Sequence, residues 1–227
     1  MWASGTFTFP SDQAITIGDN TAESTRIVKV DYKPKKDLIF VHQEKTYTRA
    51  GEEEVLVKER RVHVFRRGVE GSDSLPSSQL PTTTPTRPTE SAVATPPSRS
   101  DFRFSYTPNA AHLFRFSALT FNGHKIHYDP IWTREVEGHQ GGIVVHGPLT
   151  ALISIECADK WASETGQRLA EFEYRAVNPI YAGSEVTFCG KYVGGDSGSD
   201  EKHIELEIWA EQGGKVGMKG IAKLVVK

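Results

Sequence analysis

The 227-residue chain holds only two cysteines, Cys157 and Cys189. Two thiols so far apart form neither a disulfide framework nor a metal-ligand spacing, and both sit in apolar segments, as buried free thiols of a reducing compartment do. No apolar run approaches the roughly 18 residues of a membrane-crossing helix. The opening "MWASGTFTFPSD" lacks the basic region and apolar stretch of a secretory signal, and the ending "KLVVK" is no peroxisomal address. There is no excess of one charge: the formal net charge of −2 creates no field that draws nucleic acid or acidic lipid. A glycine-rich phosphate loop is also missing. These absences leave a soluble intracellular protein, cytoplasmic or mitochondrial, with no nucleic-acid or membrane partner. With 37% hydrophobic and 25% charged residues, it can still build a real core.

Proline, by contrast, is concentrated. The stretch "GVEGSDSLPSSQLPTTTPTRPTESAVATPPSRS" holds six of the chain's 12 prolines and almost nothing to bury. It reads as a flexible linker over 68–101, separating a mostly stranded unit over 1–67 from a larger unit over 102–227. In the first unit, "TRIVKVDYK", "DLIFVHQEKTYT" and "EVLVKERRVHVFRR" alternate apolar and polar residues as half-buried strands do. "YKPKKD" and "RAGEE" are the turns between them, and no helix of useful length is predicted there. In the second unit, "FRFSYT" and "LFRFSAL" read as short strands, and "PIWTREVEG" as a helical turn opened by Pro130. Leu149, Leu152, Ile153, Glu156, Cys157 and Trp161 recur at steps of three or four. That spacing predicts a helix from Pro148 to about Ser163 with a largely apolar stripe, stopped at Gly166. Four strands follow, in "RLAEFEYRAV", "SEVTFCGKYV", "HIELEIWAE" and "KVGMKGIAKLVV", two of them joined by the exposed hairpin "GGDSGSDEK". One long helix followed by antiparallel strands is an α+β pattern.

The polar residues cluster in "FNGHKIHYD", Phe121 to Asp129. Three readings are open. His124 and His127 with Asp129 have a possible metal spacing, but no further His/Cys cluster completes it. A turn bearing surface histidines is the bland reading. A catalytic loop is the third, because histidine takes and returns a proton near neutral pH. A catalytic loop needs a second element, and "VVHGPLT" supplies one. His146-Gly147-Pro148 opens the predicted helix, whose first N–H groups face outward at the positive end of the dipole. Together the two segments contain the parts of carbonyl-activated acid/base chemistry, a base and an oxyanion hole.

"FSALTFNGHKIHYD" followed by "VVHGPL" resembles the MaoC-like hydratase/dehydratase family of hotdog folds. The similarity is greatest to the type 2 hydroxyacyl-thioester dehydratases and the mesaconyl-CoA and itaconyl-CoA hydratase-like proteins. "MWASGTFTF", "FEYRAVNPIYAGSEVTF" and "IELEIWAEQGGKVGMKGIAKL" extend the resemblance over most of the chain outside the linker. It implies a double hotdog whose second unit wraps the long helix; this chain departs from the family in that its N-terminal unit, beginning at Met1-Trp2, is expected to lack the central helix the family carries there. It implies hydration of an enoyl thioester, or dehydration of a (3R)-hydroxyacyl thioester, without metal or other cofactor. On the family loop T-G-D-x-N-P-x-H, His127 falls on the catalytic His, and Asn122 falls on the catalytic Asp. His124 and Lys125 replace the usual Asn-Pro, and Gly147 falls on the glycine whose N–H polarises the carbonyl. Asn122 departs from the wider family but matches the branch form F-N-G-H-x-I-H-Y-D. The resemblance further implies that His124, Tyr128, Asp129, His146 and Pro148 frame the substrate, a CoA or carrier-protein thioester, and that the protein is a homodimer.

Two other functions compete with the hydro-lyase. One is a repurposed hotdog that dehydrates, isomerises or cyclises a non-thioester intermediate of secondary metabolism. The other is a non-catalytic binding module, which has no need of both His127 and Gly147. A thioesterase is disfavoured, since no carboxylate stands at the helix start and Glu156 lies further along.

Overall fold

The computed structural model describes residues 2–66, 95–195 and 204–226. The strands are β1 (Trp2–Thr8), β2 (Thr21–Lys33), β3 (Leu38–Arg49), β4 (Val57–Arg66) and β5 (Phe102–Tyr106). After β5 come helices α1 (Ala110–Thr120), α2 (Pro130–Glu135) and α3 (Gly147–Glu164). Four further strands close the chain, β6 (Gln167–Ala176), β7 (Val186–Gly195), β8 (Ile204–Gln212) and β9 (Lys215–Val226). The architecture is α+β, as expected. Among the described residues the nine strands lie in one antiparallel sheet ordered β2-β3-β4-β1-β6-β9-β8-β7-β5. The join between its halves is β1, which pairs with β4 on one side and β6 on the other.

Most of the proline-rich linker expected over 68–101 lies outside the described residues, and its described part, 95–101, carries no helix or strand. The hairpin loop "GGDSGSDEK" also lies largely outside them, but β7 and β8 on either side are paired antiparallel.

Register in the first half is locked by charge. Glu44 on β3 is buried and faces Arg26 on β2 and Arg60 on β4. Lys58 Nζ lies 3.0 Å and Arg60 Nε 2.9 Å from its carboxylate. Lys58, Arg26 and Arg60, in that order, hold its pKa down at about 2. A slip of one residue would turn this carboxylate to the other face and away from its cations. On that other face, Tyr32, Ile39 and Phe65 are cross-strand neighbours and exposed. Among the described residues no helix covers them.

The core lies between α3 and the second half of the sheet. Thr150, Ala151, Ser154, Ala158 and Ala162 form the fully buried face of α3, at helical steps of three or four. This corrects the expected stripe. Leu152 and Glu156 are exposed, while Leu149, Ile153, Cys157 and Trp161 are only partly buried. The reason is packing volume: small side chains let the helix approach the sheet, whose Phe172, Phe188, Leu206 and Leu224 supply the bulk. The buried hydroxyls need no other partner, since Ser154 Oγ donates to Thr150 O at 2.9 Å.

A second correction concerns "LFRFSAL". It is not a strand but most of α1. Asn109 caps that helix, its side chain accepting from His112 N, and Phe121 ends it in the left-handed region at φ 51°. Leu113 is buried, and Phe116 and Ser117 half-buried, one turn apart. Their helical spacing and the cap outweigh the β propensity of the phenylalanines.

The packing yields a test. Ala158→Leu places a branched side chain where nothing is exposed and should cost about 1–3 kcal/mol in denaturant unfolding. Leu152→Ala, at the half-exposed flank, should cost less. Equal losses would contradict the close approach of α3 to the sheet.

Candidate active site

Two short segments, distant in sequence, are fastened backbone to backbone. Val144 N donates to Ile126 O at 2.8 Å, and Val145 N to Ile180 O at 2.8 Å. The first bond holds the turn Lys125–His127 against the residues that lead into α3. His127 closes it with its ring: Nδ1 lies 2.7 Å from Val144 O. A carbonyl oxygen only accepts, so Nδ1 carries the proton and Nε2 keeps the lone pair. Among the described residues His127 Nε2 makes no hydrogen bond, and it is not a sealed atom, since His146 Nδ1 alone is both buried and unpartnered.

His146 is the N-cap of α3 and is fully buried. Its ring stacks on that of His127, with centroids 3.6 Å apart and planes 16° from parallel. Phe116 meets the same ring edge-on, with centroids 4.9 Å apart. Its Nε2 lies 2.9 Å from Ser117 Oγ. An orphaned buried N–H is rarer than an under-used acceptor, so the proton belongs on Nε2 and the bare lone pair on Nδ1.

Burial pushes the pKa of His127 down to about 4, with the Val144 carbonyl opposing and His124 assisting. Burial, and then His127, push that of His146 down to about 3. Two imidazolium rings in such a stack would repel, so the pair stays neutral near pH 7.

Gly147 is the first residue of α3, so Pro148 is the second. Among the described residues no side chain caps this helix start, and Pro148 has no N–H to compete with that of Gly147. The Gly147 N–H thus opens a helix dipole of 18 residues.

The remaining expected site residues divide. Asn122 Oδ1 accepts from His124 N at 3.1 Å, which folds the loop back. The His124 ring lies 6.1 Å from that of His127. Tyr128 donates from its hydroxyl to Gly123 O at 3.1 Å. Asp129 caps α2, accepting from Trp132 N at 2.9 Å. Asn122 and Pro148 open onto a cavity of about 560 Å³. Trp2, Phe116 and Tyr174 also line it, while His124, His127, Tyr128, Asp129, His146 and Gly147 do not. A Cβ placed on Gly147 would lie 3.5 Å from Trp2 Cβ, so this cavity wall runs directly past the helix start. Among the described residues no three His, Cys, Asp or Glu side chains converge as metal ligands do.

Ser117, Phe116, Val144 O and Trp2 are parts of the site that sequence reasoning missed. The signal for the first two was Asn109, a helix cap three residues after the end of β5. A backbone carbonyl carries no sequence signal.

Known proteins resemble parts of this chain. Residues 1–182 match the family model of hydroxyacyl-thioester dehydratase type 2. A mesaconyl-C(4)-CoA hydratase of Chloroflexus aurantiacus is 37% identical over 106 residues, 47% of this chain and 34% of that protein. The mitochondrial hydroxyacyl-thioester dehydratase type 2 of Schizosaccharomyces pombe is 27% identical over 84 residues, 37% of this chain and 28% of that one. The matches thus span about a third of each curated relative. A solved MaoC-like dehydratase superposes with a TM-score of 0.73 at 16% identity, over 100% of this chain and 75% of that one. It shares the fold, the hotdog expected above.

The buried histidines give a pH test. Above pH 6.5 they are neutral both folded and unfolded. Between 6.5 and their folded values of about 4 and 3, only the unfolded chain takes up the protons. Stability therefore falls as pH drops, by about 1 kcal/mol per pH unit for each histidine. Unfolding midpoints measured at pH 7 and pH 5 should show this fall. It should be shallower in His146→Phe; an unchanged slope would contradict a neutral stacked pair.

Proposed function

The chain belongs to the hydroxyacyl-thioester dehydratase type 2 family, and from that premise we propose that it is a hydro-lyase, adding or removing water at an enoyl or (3R)-hydroxyacyl thioester. The observation that carries this reading is the hydrogen bond from His127 Nδ1 to Val144 O. It leaves Nε2 as a neutral base, beside a helix start whose first N–H is uncapped.

In hydration, His127 Nε2 removes a proton from water as the oxygen bonds to C3 of the enoyl group. The C2–C3 π electrons move onto the thioester oxygen, and the Gly147 N–H stabilises the developing negative charge. The His127 imidazolium then returns the proton to C2. Dehydration is the reverse: His127 takes the C2 proton and delivers it to the departing hydroxyl. One residue serves as base and acid in turn, so no second proton carrier is required. Asn122 suits this economy, since its amide orients a water or hydroxyl without exchanging protons. Burial keeps the His127 ring unprotonated at neutral pH, so its Nε2 lone pair is available. Coenzyme A is the thioester carrier proposed, by similarity to the C. aurantiacus hydratase.

Crotonyl-CoA hydration, followed by loss of the enoyl-thioester absorbance, tests the reading. His127→Ala should lower kcat/KM by about 10²–10⁴ while the circular dichroism spectrum is retained. In the unsubstituted protein kcat/KM should hold from pH 7 to pH 5 and fall below that as His127 protonates. A fully active His127→Ala protein would sink the mechanism.

A further inference from the structure

The cavity beside the helix start is not a plain apolar tunnel. Five aromatic side chains wall it: Trp2, Phe7, Tyr47, Phe116 and Tyr174. Among them sits a charged pair. Glu59 is buried, and Arg61 holds it with two parallel bonds, Nε to Oε1 and Nη2 to Oε2, each 2.6 Å. The guanidinium lies over the Trp2 ring, 4.7 Å from its centroid. Trp2 Nε1 in turn donates to Tyr174 Oη. Among the described residues Arg61 Nη1 makes no hydrogen bond, and the side chain keeps 23% of its surface open. One edge of the guanidinium is thus spent on Glu59, and the other still carries donors where Arg61 lines the cavity.

Resting on the hydro-lyase reading above, we propose that this cavity receives the acyl group and selects a planar aromatic one bearing an uncharged oxygen acceptor for Arg61. The thioester end is placed by the Gly147 N–H, and Trp2 runs from that glycine to Arg61. The volume of about 560 Å³ is ample for a substituted ring, since an apolar cavity of about 150 Å³ already takes benzene. Flat walls favour offset or edge-on stacking of a ring over a saturated chain. Charge decides the acceptor. Glu59 already neutralises Arg61, so a second carboxylate would leave the aromatic enclosure with one uncompensated negative charge. A phenol, ether or carbonyl oxygen accepts from Nη1 without that penalty.

The test is a panel of CoA thioesters: 4-hydroxycinnamoyl, cinnamoyl, crotonyl and mesaconyl. The hydroxylated ring should give the highest kcat/KM, about tenfold over the plain ring, as one hydrogen bond to a charged donor provides. In Glu59→Leu/Arg61→Met, which removes both charges together, the ratio of those two substrates should fall towards unity. Preference for crotonyl or mesaconyl, or a ratio unchanged in the variant, would overturn the proposal while leaving the hydro-lyase standing. If no thioester is turned over, the hydro-lyase falls. The cavity is then judged by calorimetry of the wild-type protein with methyl 4-hydroxycinnamate and methyl cinnamate. Tighter binding of the former, by about tenfold, supports the proposal, and equal or absent binding refutes it. Should the double variant fail to fold, these wild-type comparisons still decide.

Discussion

The hydrogen bond between His127 Nδ1 and the Val144 carbonyl is the constraint on which the site depends. It fixes a tautomer, an orientation and a distance between two segments at once. Without it the ring could turn, and either nitrogen could carry the proton. The backbone bond from Val144 N to Ile126 O keeps that carbonyl in place. The His127 ring is therefore held by main-chain geometry, which side-chain substitutions elsewhere disturb little.

That geometry depends in turn on where α3 begins. The helix is pressed to the sheet through Ala151, Ala158 and Ala162, with no bulky side chain between. Close packing sets the depth of its N-terminus, and so the position of Gly147 beside Trp2. The same depth buries His146 completely, which prevents it from holding a charge. In the proposed chemistry a neutral stacked ring suits a base at His127, because it confines that ring without adding a cation that would oppose each protonation. Core packing and the proposed proton chemistry are thus coupled through two residues, His146 and Gly147.

Much of this was legible from residue patterns, and the exceptions have physical causes. Alternation identified β2, β3, β4 and the four C-terminal strands, since one buried face leaves a period of two. The bounds of α3 followed from Pro148 and Gly166, yet its buried face did not. Hydropathy ranks leucine above alanine, whereas the tightest contact here belongs to the smallest side chains. In "LFRFSAL" the pattern fits both periods, and the deciding residue, Asn109, lies outside the apolar run. In the candidate site, His127, Asn122 and Gly147 stood out in the sequence because the chemistry proposed for them resides in side chains or in the lack of one. Val144 was not, because its contribution is a carbonyl that any residue possesses. The cavity was invisible for another reason: Trp2, Arg61 and Tyr174 meet only through sheet pairing, β1 lying between β4 and β6.

That meeting bears on how one sheet would serve the two proposed tasks. Glu59 and Arg61 occupy alternate positions of one strand and so share a face. On an isolated strand the pair would be solvated and of little consequence. When β1 brings Trp2 beneath the guanidinium and Tyr174 beside Trp2, the pair becomes a polar feature in an aromatic enclosure. Removing one partner alone would leave a buried charge unmatched, so the two residues constrain each other. On the proposed reading, the thioester end depends on the start of α3 and the acyl end on β1, β4 and β6. These elements meet at Trp2 and Gly147, so a change of acyl preference made at β4 would leave His127 in place.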